Sequence, residues 1–197
     1  MKIKNSEKSF GVVAQVFHWS VFLLFVALFV VANMMTEMPK GPEKFQLYGL
    51  HKSLGVTTLF IVFLRLSWRM ANPVPTPSTK VSKLVNRAAS IGHFLLYAVM
   101  FIMPISGYIM SMAGGHKVSW FGIFNLPVFI GKSKALGVLA HGIHSYTAYF
   151  IIIFVSGHLM AALWHHFAIK DGVLHRMLPL KEKESSAINK EEVNQYV

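Results

Sequence analysis

Three stretches of this chain contain no Asp, Glu, Lys or Arg at all: Ser9 to Thr36, Ala88 to His116 and Ala135 to Ile169. Each exceeds the roughly 20 residues that an α-helix needs to cross a 30 Å hydrocarbon core. A fourth apolar stretch runs from about Gln46 to Trp68, with Lys52 near one end and Arg65 near the other, where both can snorkel to the headgroups. Only 14% of the 197 residues are charged, against about a quarter in soluble domains, and 54% are hydrophobic. Mean hydropathy is +0.49. The expected fold class is therefore all-α, an integral membrane four-helix bundle. Its helices are expected near residues 11–35, 46–69, 88–112 and 138–168, within a single domain over residues 1–180, followed by a polar cytoplasmic tail over 181–197.

The net charge of +11 could indicate a nucleic-acid binder. Its placement excludes that reading. With four spans, both termini and the loop between helices two and three share one side, which collects Lys2, Lys4, Lys8, Arg65, Arg69, Lys80, Lys83, Arg87, Lys170, Arg176, Lys181, Lys183 and Lys190. The other side holds Lys40, Lys44, Lys52, Lys117, Lys132 and Lys134. The positive-inside bias puts both termini in the cytoplasm. The first span is read as retained, because Val31-Ala32-Asn33-Met34 lacks the paired small residues of a signal cleavage site. Asn72-Pro73-Val74-Pro75-Thr76-Pro77-Ser78 cannot continue a helix and reads as a stiff connector. The loop from Gly114 to about Lys134, rich in Trp120, Phe121, Phe124, Val128, Phe129 and Ile130, is expected to lie on the membrane interface or cap a site.

Ten histidines and no cysteine narrow the chemistry. Disulfides, thiolate zinc, iron–sulfur clusters and covalently attached haem all need sulfur. Imidazole is costly in hydrocarbon and marks function there. The topology places His18 near the cytoplasmic start of helix one, His51 near the outer start of helix two, and His144 and His158 toward the outer and inner ends of helix four. Fourteen residues along an α-helix return to within roughly 40° of the starting direction and rise about 21 Å. One face of helix four thus presents a nitrogen near each leaflet, to be met by His51 outside and His18 inside, whereas His141 points about 100° away from His158. Gly55 and Gly157 leave room beside these rings for a flat cofactor. Two trans-helix imidazole pairs suit bis-histidine haem b, whose iron takes an axial ligand on each face. The spans contain no Asp or Glu, which disfavours zinc and weakens a proton-pump reading.

Several segments carry a family resemblance: "FHWSVFLLF", "LHKSLGVTTLFIVFLRLSWR" with "NPVPTP", "GHFLLYAVMFIMPISGYIM", "SWFGIFNLP" and "HSYTAYFIIIFVSGHLMAALWHHFAIKDGVLHRMLP". In this order they resemble the bacterial cytochrome b561 family over about Val13 to Leu180, dihaem four-helix membrane cytochromes related to the cytochrome b subunits of nickel hydrogenases and formate dehydrogenases. The resemblance implies one haem iron held by His18 and His158 and a second by His51 and His144. It also implies one-electron transfer in the bacterial inner membrane between the quinone pool, with ubiquinone as substrate, and a small donor or redox protein. One family member is described as oxidising superoxide, a role that the outer Lys52, Lys117, Lys132, Lys134 and His116 would suit. The alternatives are a cytochrome b subunit of a larger dehydrogenase or hydrogenase and a haem-free histidine-lined metal or proton channel. A homodimer is compatible with the sequence.

Second-rank positions each carry two readings. His93 could hydrogen-bond a propionate or an axial ligand, or be an interfacial helix-end histidine. Arg65 and Arg69, one turn apart, could pair with haem propionates or simply satisfy the charge bias. His165 and His166 could exchange protons with a quinone or anchor in the headgroups beside Trp164. Pro104 followed by Gly107 is expected to bend helix three around a cofactor. The methionines read as gap fillers.

Overall fold

The structure, a computed structural model, describes residues 2–178; the 181–197 tail, with Lys181, Lys183 and Lys190, lies outside the described residues. Four long helices carry the chain: α1 (Val12–Glu37), α2 (Pro42–Ala71), α3 (Lys83–Ala113) and α4 (Lys134–Trp164). All four are long and apolar enough to cross a membrane. A short antiparallel hairpin, β1 (Ser119–Trp120) and β2 (Phe124–Asn125), lies between α3 and α4. After α4 come a π-turn over His165–Ile169 and a 3-10 turn over His175–Met177.

Helices α2, α3 and α4 start earlier than the expected residues 46, 88 and 138, for a local reason. The Ser82 and Ser133 hydroxyls accept the Val85 and Leu136 amides at 3.3 Å, capping α3 and α4. Pro42 opens α2, where its missing N–H costs nothing, with Glu43 in the same first turn against the helix dipole. Polar first turns were invisible to a search for uncharged runs. At the other end of α3, Gly115 adopts φ +77 while its amide reaches Met112 O at 2.8 Å and the His116 amide reaches Ser111 O at 2.9 Å. That is a Schellman stop, which needs the left-handed residue that glycine supplies.

The chain divides into two compact units, and each long helix contributes a segment to both. The first contains the chain up to Trp19, Leu64–Leu95, and the described residues from Ile153 onward. Its apolar helix ends are knitted by polar bonds through the proline connector. Asn5 Nδ2 donates to Pro73 O at 3.0 Å, the Thr76 amide to Glu7 O at 2.9 Å, and Arg176 to Thr76 O at 2.6 Å. Trp19 Nε1 donates to Met177 O at 3.0 Å, and Lys80 Nζ to Lys170 O at 2.6 Å. The connector is thus held on both sides by the segments that precede α1 and follow α4.

The second unit contains Ser20–Phe63 and Leu96–Ile152. Its buried positions include Val21, Phe25, Val62, Val99, Met100 and Ile151, joined by Ser53, Thr58, Ser106, Ser111 and Thr147. Small hydroxyl side chains let helix backbones approach and return their own hydrogen bonds to the helix. Ser53, Thr58 and Thr147 donate to Gly49 O, Leu54 O and Ile143 O at 2.9, 2.8 and 2.7 Å. Leu23, Phe60 and other large side chains remain exposed on these helices, as a lipid-facing surface requires. The hairpin packs on α2. The Phe121 amide donates to Ser53 Oγ and Trp120 Nε1 to Thr57 Oγ1, both at 3.0 Å. The Gly114–Lys134 loop therefore rests on the helix that carries His51.

Two expectations follow from the first unit. A Cβ on Gly11 would collide with the backbone of Ile3 and Lys4, so Gly11→Ala should destabilise the N-terminal segment by about 1–3 kcal/mol, seen as faster proteolysis before α1 in detergent. Burial alone would raise the Asp171 carboxyl, but hydrogen bonds from Ser78, His165 and the Val173 amide overcome it and hold the group below its ordinary 3.8. A depressed acid stabilises the fold above its unfolded value and loses that contribution as pH falls through the folded value. The melting-temperature gap between wild type and Asp171→Asn should close as pH falls below about 4.

Candidate functional site

In the first unit, α1, α3 and α4 bring three imidazoles together. His18 and His158 have ring centres 6.1 Å apart with planes at 55°. His93 stands edge-on to His158 at 5.4 Å. From α2, the Arg65 guanidinium lies 2.9 Å from His18 Nδ1, and Arg69 is within electrostatic reach of His93. His18, His158, His93 and Arg65 thus form one cluster. Arginine can only donate, so His18 Nδ1 accepts and a neutral His18 carries its proton on Nε2.

In the second unit, His51 on α2 faces His144 on α4 at 6.2 Å, planes at 76°. Here both rings are oriented by backbone oxygen. His144 Nδ1 donates to Met103 O at 2.8 Å, with Ser106 Oγ at 3.4 Å. The His51 ring hydrogen-bonds the Leu28 carbonyl, leaving its Nδ1 buried without a partner among the described residues. Metal-ligating histidines characteristically donate one ring N–H to a carbonyl and keep the other nitrogen for the metal.

Glycine makes the second arrangement possible. A Cβ at Gly107 would stand 2.9 Å from His144 Cε1 and 3.0 Å from Nδ1. The α3 helix runs through Pro104 without interruption. The Pro104–Gly107 turn serves as the seat of His144, offering the Met103 carbonyl and the absent side chain of Gly107, a role that a search for kinks does not find. Glycine one turn past a proline was the available signal. Around Gly55 and Gly157 a Cβ would meet nothing within 4 Å. His141 is exposed, in keeping with its angular offset from His158.

Whether these rings suit an iron can be tested by distance. An imidazole nitrogen binds a metal at about 2 Å and lies roughly 1.1 Å from its own ring centre, so two axial imidazoles should have centres about 6.2 Å apart. The observed 6.1 and 6.2 Å fit. Among the described residues no cluster of three or more His, Cys, Asp or Glu could hold a metal ion by itself, so an iron here would take its remaining ligands from a macrocycle.

Beyond the imidazole pairs, His165 Nδ1 and Asp171 Oδ2 lie 2.6 Å apart in the first unit. His166 and His175 stack edge-on at 5.0 Å, both with Nδ1 buried and without a partner among the described residues. Residues six apart lie on different faces of a straight helix, so helical spacing alone does not bring Asp171 to His165.

A family model for prokaryotic cytochrome b561 matches residues 9–180. Cytochrome b561 homolog 2 of Escherichia coli K12 is 32% identical over 185 residues, covering 90% of this chain and 95% of that protein. Cytochrome b561 homolog 1 of the same organism is 29% identical over 169 residues, covering 84% and 94%. A protein named probable superoxide oxidase CybB, from Yersinia pestis, is 26% identical over 164 residues, covering 83% and 92%. With four apolar helices and imidazoles spaced for an iron, the chain belongs to the prokaryotic cytochrome b561 family, membrane proteins of electron transfer that carry b-type haem.

Proposed function

We propose that the protein is a dihaem cytochrome that passes single electrons across the bacterial inner membrane between a small donor on the periplasmic side and the quinone pool. The observation that carries this reading is the pair of imidazole–imidazole spacings, 6.1 and 6.2 Å, each on two different helices. His18 and His158 would hold one haem b, and His51 and His144 the other. Haem held by two histidines would supply a centre that gains and loses one electron at a time.

The chain's own groups do the rest. Met103 O and Leu28 O fix the orientation of His144 and His51 by accepting their ring protons. At the other pair, a His18 that used Nε2 to hold the iron would carry its proton on Nδ1, and Arg65 would then no longer donate there. Arg65 and Arg69 are then the cations available to haem propionates, and His93, edge-on to His158, limits how that ring can turn. Single-domain boundaries at residues 1–180 and cytoplasmic termini belong to the same reading, supported by the placement of 13 of the 19 basic residues.

We infer superoxide as the periplasmic donor. Its support is the basic rim of Lys52, Lys117, Lys132, Lys134 and His116, which would raise the local concentration of a small anion, together with the name of the Yersinia relative. With both protein ligands of the iron being histidines, the exchange would be outer-sphere, and the hairpin on Ser53 and Thr57 would lie on the same helix as His51.

Purified protein should show a reduced-minus-oxidised b-type spectrum at two haems per chain. His144→Ala and His158→Ala should each lower that ratio to one, with spectrally different losses; a colourless protein or identical losses would refute the two-site arrangement. Gly107→Ala should displace His144 and mimic His144→Ala in the spectrum, while Gly142→Ala, where a Cβ meets nothing within 4 Å, should keep both haems.

A further inference from the structure

Seven residues beyond His158, about two helical turns and some 10 Å along the axis, α4 ends in an imidazole–carboxylate pair that haem binding does not use. Asp171, the single aspartate of the chain, has a side chain only 3% exposed, and His165 one that is 12% exposed. Asp171 Oδ2 meets His165 Nδ1 at 2.6 Å, Oδ1 accepts the Val173 amide at 3.2 Å, and the buried Ser78 hydroxyl donates to the same carboxylate. A burial this deep is stable because every oxygen has a donor.

The backbone is shaped to make this contact. On a straight helix, positions six apart point about 120° away from each other and stand about 9 Å apart. Here the wide π-turn over His165–Ile169 and a left-handed Lys170, φ 51, fold the chain back so that Asp171 reaches His165. A non-glycine residue in that region is costly, and π-turns and such strain concentrate at functional sites. Lys80 clamps the turn by donating from Nζ to Lys170 O at 2.6 Å.

The chemistry follows from the donor rules. An ionised carboxylate only accepts, so His165 Nδ1 keeps its proton and Nε2 becomes the position that gains or loses one. A base oriented by a buried carboxylate, two turns from a one-electron centre on the same helix stripe, is what a quinone needs. Exposed Leu163, Trp164 and Phe167 adjoin it, the surface by which an apolar ring would arrive from lipid.

We propose that His165, oriented by Asp171, is the residue that hydrogen-bonds a quinone carbonyl and exchanges its protons. The proposal rests on the quinone reading above and gives it a location. The stoichiometry closes: one quinone takes two electrons, delivered singly from haem b, and two protons, handed over in turn by His165 Nε2 and replaced from water. Both C=O bonds become C–O–H, and no bond between heavy atoms breaks. His165 is catalytic in this scheme. Asp171 is a positioning residue.

The test follows haem reduction by a short-chain ubiquinol in a stopped-flow spectrophotometer, with dithionite-reducible haem per chain as the control for folding. His165→Gln should slow quinol-driven reduction about 100-fold at unchanged haem content. Asp171→Asn should lower the maximal rate about tenfold while leaving the half-saturating quinol concentration within threefold, a split that a merely structural role would not give; His141→Ala, at an exposed position, should leave the rate unchanged. If His165→Gln loses haem, Asp171→Asn decides alone. Wild-type rates in both His165→Gln and Asp171→Asn would overturn the inference and leave the quinone reading standing. A wild-type protein whose haem neither accepts electrons from quinol nor gives them to quinone would overturn both.

Discussion

An imidazole nitrogen inside hydrocarbon must have a partner, because water is absent and an unpaired polar group there costs several kcal/mol. Much of this structure can be read as the answer to that demand. His144 gives its Nδ1 proton to Met103 O, His51 hydrogen-bonds Leu28 O, and His18 receives Arg65. His51 Nδ1 is left over among the described residues.

The two imidazole pairs answer the demand differently, and the difference is chemical. In the second unit, backbone oxygens orient both rings, and backbone cannot leave. In the first, the Arg65 guanidinium takes the place of a carbonyl at His18, and a third imidazole, His93, stands edge-on to His158. A carbonyl partner makes the ring a better electron donor to iron, whereas a cation makes it a poorer one. The two imidazole pairs thus lie in unlike electrostatic surroundings.

Small residues set the limits within which this works. Ser53 closes its own helix turn and at the same time receives the hairpin amide of Phe121, so one hydroxyl both permits close packing and seats a loop. Gly107 admits the His144 ring at a distance that no side chain could tolerate. The proline connector would be a loose tether without Asn5, Glu7 and Arg176, which bind it from either side.

The number and approximate extent of the helices, the lack of any thiol, and the four histidines that pair are legible in the amino-acid order alone. Hydrophobic run length and helical periodicity are local properties, and 14 residues between His144 and His158 fix their shared face whatever surrounds them. Run length misses the helix starts at Lys83 and Lys134 because serine caps lie outside an apolar run. Only the tertiary structure decided which groups touch across the chain: Arg65 on His18, Gly107 beneath His144, and Asp171 turned back to His165. Those contacts depend on how helices approach one another and on a left-handed residue at Lys170, neither of which any periodicity encodes.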